Sequence, residues 1–109
     1  MRRRVVWKSS YEQTGRLTPP DARSLRAGAV ALDPHAVMDW HSTKAREEFL
    51  VVLSGQVVLE VGVSSKSIRR VTLHAGRCAF LPPATLHRVV NRATTQSHYL
   101  YVTAPTDAR

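Results

Sequence analysis

The sequence predicts an all-β fold, a barrel or sandwich of about eight short strands behind a basic N-terminal arm. Three observations carry the prediction. From Gly28 onward almost no stretch keeps a helical period over a window of eleven residues. Turn-forming residues punctuate the chain at short intervals. Apolar residues alternate, with Val57, Leu59, Val61 and Val63 on one side and Glu60 and Gly62 on the other. Successive side chains of a strand point to opposite faces, so this pattern gives that strand a core face.

The first strand is expected over 28–32 and ends at Asp33-Pro34, where proline removes a ladder donor. A second over 36–41 leads through a polar stretch to a third over 47–53, which stops at Ser54-Gly55. A fourth over 56–63 precedes Ser64-Ser65-Lys66, and a fifth over 68–73 ends near Ala75-Gly76. The sixth, 77–81, runs into Pro82-Pro83; the seventh, 86–91, and the eighth, 97–103, flank a polar loop over 93–96. Ahead of them, Arg2 to Trp7 contains Val5, Val6 and Trp7 and could add an edge strand, exchanged onto a partner chain. The stretch 11–26, with Pro19-Pro20, reads as an extended arm or loop. The expected organisation is a basic arm over 1–27 and a barrel over 28–105.

At 109 residues the chain has room for one core. Hydrophobic residues at 43% and charged residues at 22% match ordinary globular domains and exclude a disordered chain. Apolar runs such as 49–53 fall far short of the roughly 18 residues of a membrane-spanning helix. No apolar signal core follows the arginine-rich start, so a cytoplasmic protein with no membrane partner is expected. The single cysteine, Cys78, excludes an internal disulfide and a cysteine-built zinc site.

The net charge of +8 is the outlying value. Arg2, Arg3, Arg4, Lys8, Arg16, Arg23 and Arg26, against Glu12 and Asp21, place most of it in the first quarter of the chain. Without a helix-turn-helix or an aromatic-basic platform beside them, these charges read as a solvated arm outside the reactive site rather than a nucleic-acid surface.

Three residues of metal-ligand type stand where strands can bring them together. His41 ends one expected strand and Glu48 opens the next, so the two can face each other at the end of a hairpin. His87 opens the seventh strand; pairing across the Pro82-Pro83-Ala84-Thr85 turn sets it opposite Phe80, and Cys78 opposite Val89. Two imidazoles and a carboxylate form the facial triad that suits Fe, and equally Mn, Ni or Zn, leaving positions free for substrate. Asp39, two residues before His41, could orient it. His98 alternates with Leu100 and Val102 and could line the barrel. Cys78 is expected as a small buried side chain, and His74 as exposed. Trp40, Met38, Phe49 and Val51 fall opposite the proposed ligands and suggest a homodimer contact.

These residues also carry a resemblance. His41-Ser-Thr-Lys-Ala-Arg-Glu-Glu48, with Gly55, resembles the first cupin pattern, G-x5-H-x-H-x3,4-E-x6-G. Gly76, Pro82, His87 and Asn91 match the second, G-x5-P-x-G-x2-H-x3-N, in register. The resemblance implies a double-stranded β-helix, or jelly-roll barrel, holding a divalent metal through His41, Glu48 and His87 and a small organic molecule inside. It admits dioxygenase, isomerase, decarboxylase, lyase and cyclase chemistry. Thr43 stands where the pattern has its second histidine, and His35 and Ala84 stand where it has glycines. Thr43 is a poor ligand, which lowers the expected metal affinity and leaves a second reading, a metal-free pocket that binds a sugar or metabolite without turnover.

Overall fold

The computed structural model describes residues 6–64 and 66–106. They form nine strands in two antiparallel sheets: β1 (Gly15–Arg16), β2 (Arg26–Leu32), β3 (Val37–Ser42), β4 (Arg46–Ser54), β5 (Gln56–Ser64), β6 (Ser67–His74), β7 (Cys78–Leu81), β8 (Leu86–Val90) and β9 (Ser97–Pro105). The eight expected strands are all present, with ends moved by one or two residues. The two-residue β1, inside the stretch expected as an arm, pairs with β2 through Gly15–Ala29 and Arg16–Gly28. Val6 and Trp7 are not in a strand; Trp7 instead donates its indole N–H to Leu17 O at 2.7 Å. The rest of the expected edge strand, Arg2 to Val5, lies outside the described residues.

A five-stranded sheet, β1-β2-β9-β4-β7, faces a four-stranded one, β3-β8-β5-β6. The pairings are nested: β5 with β6, β4 with β7, β3 with β8 and β2 with β9. The chain is in effect one long hairpin with its tip between β5 and β6, rolled until β4–β9 and β5–β8 pairs join its windings. This is the jelly roll. It corrects two expected hairpins. β3 and β4 lie in different sheets, as do β7 and β8, so His87 is not opposite Phe80 and Cys78 is not opposite Val89. Their cross-strand neighbours are His41 for His87, Phe49 for Phe80 and Val51 for Cys78. The connections carry the chain between layers rather than back along the same sheet.

Between the sheets, Val30, Leu32, Leu50, Val52, Val57, Leu59, Leu73, Leu81, Val89 and Tyr99 make the core, each aliphatic side chain contributing about 1.5–3 kcal/mol by leaving water. Val57 and Leu59 follow the alternation of β5, whereas Val63 at the strand's end is exposed. Gly28 faces the Tyr101 ring so closely that a Cβ would lie 2.4 Å from it, so only glycine admits the ring there. Gly55 holds φ at +74° in the β4–β5 turn, and a side chain would also strike Ser97. His35 and Ala84, at two positions where the cupin patterns have glycine, adopt φ of 65° and 56° all the same. The turns keep the left-handed geometry although their residues lack glycine's freedom.

Candidate metal centre

His41, Glu48 and His87 converge at one end of the barrel, their ligand atoms all within 4.8 Å of one another. Backbone register explains the convergence. On β3, Met38 pairs with Val89 and His41 with His87, so two residues, Asp39 and Trp40, oppose the single Arg88. This bulge shifts the alternation by one and turns both Met38 and His41 toward the interior. Strict alternation would have put Met38 outside, where the sequence expectation had it. Glu48 comes from the opposite sheet, on β4, and is 8% exposed; His87, on β8, is fully buried. The imidazoles stack obliquely with centroids 4.2 Å apart, and His87 Nε2 lies 3.6 Å from Glu48 Oε1.

Hydrogen bonds fix which nitrogens face the centre. His41 Nδ1 is 2.7 Å from Asp39 O, and His87 Nδ1 is 3.0 Å from Thr85 O. A carbonyl only accepts, so each Nδ1 carries a proton and donates, which leaves each Nε2 as the ring nitrogen available to the centre. His87 Nε2 is buried with no hydrogen-bond partner and faces the Glu48 carboxylate, another acceptor. Burial pushes the His87 pKa down, opposed by the Thr85 carbonyl and aided by His41. Burial pushes Glu48 up, partly offset by His41. Both shifts have burial as their first cause, which penalises the charged form of each group and leaves the pair without a stabilised charge. A divalent cation, with metal–ligand bonds of about 2.0–2.2 Å, matches that donor set and spacing.

Thr43 is buried beside the triad, but its hydroxyl is used elsewhere. It donates to Pro82 O at 2.7 Å and accepts from Thr85 N at 2.9 Å, while Thr43 N donates to Thr85 O at 3.1 Å. The same Thr85 carbonyl orients His87, so the residue in the second-histidine position braces the turn that aims another candidate ligand. Asn91, fully buried, ties the far side of the barrel by donating to Leu32 O and Thr95 O.

The triad opens into a cavity of about 420 Å³, a size suited to a small organic molecule. Thr43, Met38, Tyr99, Tyr101 and Thr103 contribute to its wall, with Arg16, Arg26 and Arg46. Burial and the Glu48 charge hold the Tyr99 phenol above its ordinary range, so it stays protonated.

Other residues expected near the site lie elsewhere. Phe80 and Cys78 are exposed, because β7 pairs along the edge of β4 instead of folding onto β8. His98 does not line the cavity; the inward residues of β9 are Tyr99, Tyr101 and Thr103, and the His98 ring meets Tyr11 at a centroid distance of 6.5 Å. Asp39 orients His41 through its backbone carbonyl; its carboxylate accepts from Trp40 N. Trp40 lies under Arg88, 5.0 Å from its guanidinium, on a different sheet from Phe49 and Val51. His74 is exposed, as expected. The sequence reading set the N-terminal charge outside the site, yet Arg16 and Arg26 line the cavity, because β1 and the start of β2 run along its mouth. The two-residue spacing of Arg26 and the inward-facing Gly28 on β2 signals this for Arg26, whereas Arg16 is placed there only by the β1–β2 pairing.

Known structures share this architecture. The cupin domain of Cnp3 from Schizosaccharomyces pombe superposes with a TM-score of 0.73 at 15% identity, covering 84% of this chain and 63% of that one. The chain thus spans less than two thirds of that protein's length. A cupin 2 conserved barrel domain protein from Salinispora arenicola CNS-205 gives 0.71 at 23%, covering 85% and 75%. TT1209 from Thermus thermophilus gives 0.71 at 25%, covering 89% and 90%. No curated protein matches the sequence. The family described as the cupin domain matches residues 28–103, from the inward-facing Gly28 of β2 to Thr103 beside the triad. With that match across both sheets, the chain belongs to the cupin family.

Proposed function

We propose that this cupin is a metal-dependent enzyme that acts on a small organic substrate in the barrel, with His41, Glu48 and His87 as the ligands of one divalent ion. The observation that carries the reading is the buried, unpartnered His87 Nε2 directed at the Glu48 carboxylate and flanked by His41. Two imidazoles and one carboxylate leave coordination positions open toward the cavity, and a bound ion there supplies Lewis-acid or oxygen-activating chemistry. The protein's own part is to hold both imidazoles in the ligating tautomer, keep the Tyr99 phenol protonated and enclose the substrate. Calorimetric titration of chelator-treated protein with Fe(II), Mn(II), Ni(II) and Zn(II) tests the proposal. Binding of one ion per chain, lost in Glu48→Gln, is expected; no binding of any of the four overturns it.

Phe49 and Phe80, exposed and paired across β4 and β7, support docking of a second copy at that edge. Such a homodimer would be seen by sedimentation, and a monomer at all concentrations would exclude it.

A further inference from the structure

The three arginines around the cavity are not explained by the metal centre. Arg16 is on β1, Arg26 opens β2 and Arg46 opens β4, and all three line the cavity that holds the triad. The strand register aligns them. Arg26 pairs with Thr103, and Thr103 with Glu48, so Arg26 and Glu48 are two strands apart in one row, a span of about 10 Å. Arg46 precedes Glu48 by two residues, on the same face of β4. Arg16 pairs with Gly28, whose missing side chain leaves the Tyr101 ring as the wall below it.

None of the three neutralises the triad. Among the described residues the ion-pair partner of Glu48 is His87, and the carboxylate that pairs with arginines is Glu60, at a different place in the fold. Arg46 is fixed by neutral partners, its Nε donating to Thr103 Oγ1 at 2.9 Å and Nη2 to Ser24 O at 2.5 Å. Its Nη1 is left over. Arg16 is placed similarly, through Thr18 Oγ1 at 3.3 Å and Pro19 O at 3.4 Å. Arg26 has neither an ion pair nor a side-chain hydrogen bond among the described residues. Guanidinium groups held by carbonyls and hydroxyls keep their full charge and unused N–H donors, which match an oxyanion.

We propose that the cavity takes a small organic anion, its carboxylate or phosphate head on Arg16, Arg26 and Arg46 and its body against Met38, Tyr99 and Tyr101, reaching toward the triad. The inference rests on the cavity being the working site, as proposed above, but it does not need the metal. The backbones of Arg26 and Glu48 are about 10 Å apart and one cavity of about 420 Å³ is lined by both, so a small organic molecule can reach from the arginines toward the triad, and the repulsion between Glu48 and a second anion orients the head outward.

The test measures binding to chelator-treated protein, by calorimetry or ligand-observed NMR, of three matched pairs: benzoate with benzamide, phenylacetate with phenylacetamide, and phenyl phosphate with phenol. The anion of at least one pair should bind about tenfold or more tightly than its neutral partner. Preference among benzoate, phenylacetate and phenyl phosphate tells carboxylate from phosphate. Arg26→Gln should remove about tenfold of the anion's affinity while leaving metal binding at the wild-type level. Equal binding of anion and neutral partner in every pair, no binding of any anion, or unchanged anion affinity in both Arg26→Gln and Arg16→Gln overturns the proposal. Because the metal titration is separate, a protein that binds ions but not anions refutes this inference alone, and the reverse result refutes the metal reading alone.

Discussion

Glu48 and Glu60 are both buried carboxylates, on strands adjacent in sequence, and their surroundings are opposite. Glu60 is fully covered, but by guanidinium groups: Arg88 at 2.6 Å, Arg70 at 3.0 Å and Arg92 at 3.0 Å. Hydrogen bonds from these arginines, led by Arg88 and opposed by burial, hold its pKa down to about 2. Glu48, 8% exposed, has among the described residues only a histidine within ion-pair range, at 3.6 Å, and burial drives its pKa up. A carboxylate that serves the fold is saturated with partners from the same chain. On the proposal made above, Glu48 is instead kept for an incoming ion and left short of partners, and the native state is destabilised by that shortage until the ion binds.

Removing each carboxylate in turn should therefore have opposite consequences, and this is the largest expected effect. Glu60→Gln leaves three arginines gathered around a neutral amide and should destabilise the fold by roughly 3 kcal/mol, somewhat less than a fully buried pair would lose because Arg70 and Arg92 are half-exposed. Its metal affinity should stay at the wild-type level. Glu48→Gln should leave the metal-free protein as stable as the wild type or more so, while metal affinity falls by about a hundredfold or more. Urea denaturation with and without metal reads both quantities. If Glu48→Gln destabilises the metal-free chain as much as Glu60→Gln does, the contrast is broken and Glu48 is a structural residue.

The same contrast extends to pH dependence, where the two carboxylates act with opposite sign. Glu60 has a native pKa of about 2 against an ordinary 4.5, so its contribution, roughly 2–3 kcal/mol, is present above pH 4.5 and is lost as pH falls toward 2. Glu48 has a native pKa above its ordinary value, so the folded state holds its proton longer than the unfolded one. Metal-free stability therefore falls as pH rises through that interval, and saturating metal abolishes the fall. His87, with its pKa lowered, acts the other way below about 6.5. The Glu48 contribution is thus read as the difference between wild type and Glu48→Gln, and the Glu60 contribution as the acid limb that Glu60→Gln flattens. An unchanged acid limb in Glu60→Gln would falsify the three-arginine account.

How much of this is legible in the sequence differs between the two carboxylates. Glu48 stands in a pattern whose spacing, with His41 and His87, marks it directly, and turn residues and alternation mark the eight strands. Glu60 falls by alternation on the strand face away from the core and carries no signal. Of its partners, Arg70 faces it across the β5–β6 hairpin, whereas Arg88 on β8 and Arg92 just beyond it arrive only through the β5–β8 pairing that joins the windings. That β5–β8 pairing is a long-range property, and local reading replaces it with hairpins between neighbouring strands. The bulge at Asp39 and Trp40 is hidden for a related reason: one extra residue reverses the alternation without changing composition. Thr43 reads as a lost ligand, and only the contacts to Pro82 and Thr85 show its use.

The smallest expected effect isolates the turn beneath the Glu48 side of the comparison. Ala84 holds φ at 56° and donates its N–H to Lys44 O at 2.7 Å, within the same group of contacts by which Thr43 fixes Thr85 and hence His87. An L-residue in the left-handed region costs about 1 kcal/mol relative to glycine, because its Cβ crowds the following carbonyl. Ala84→Gly should therefore stabilise the fold by about 1 kcal/mol, reduced by the extra freedom glycine has in the unfolded chain. The backbone contacts that aim His87 need no side chain at position 84, so metal affinity should not change. A gain in stability with unaltered affinity would show that the turn's strain and the triad's missing charge destabilise the fold independently. A fall in affinity would mean instead that the alanine's stiffness helps to hold His87 in place, and that the site depends on its turn as closely as Glu60 depends on its arginines.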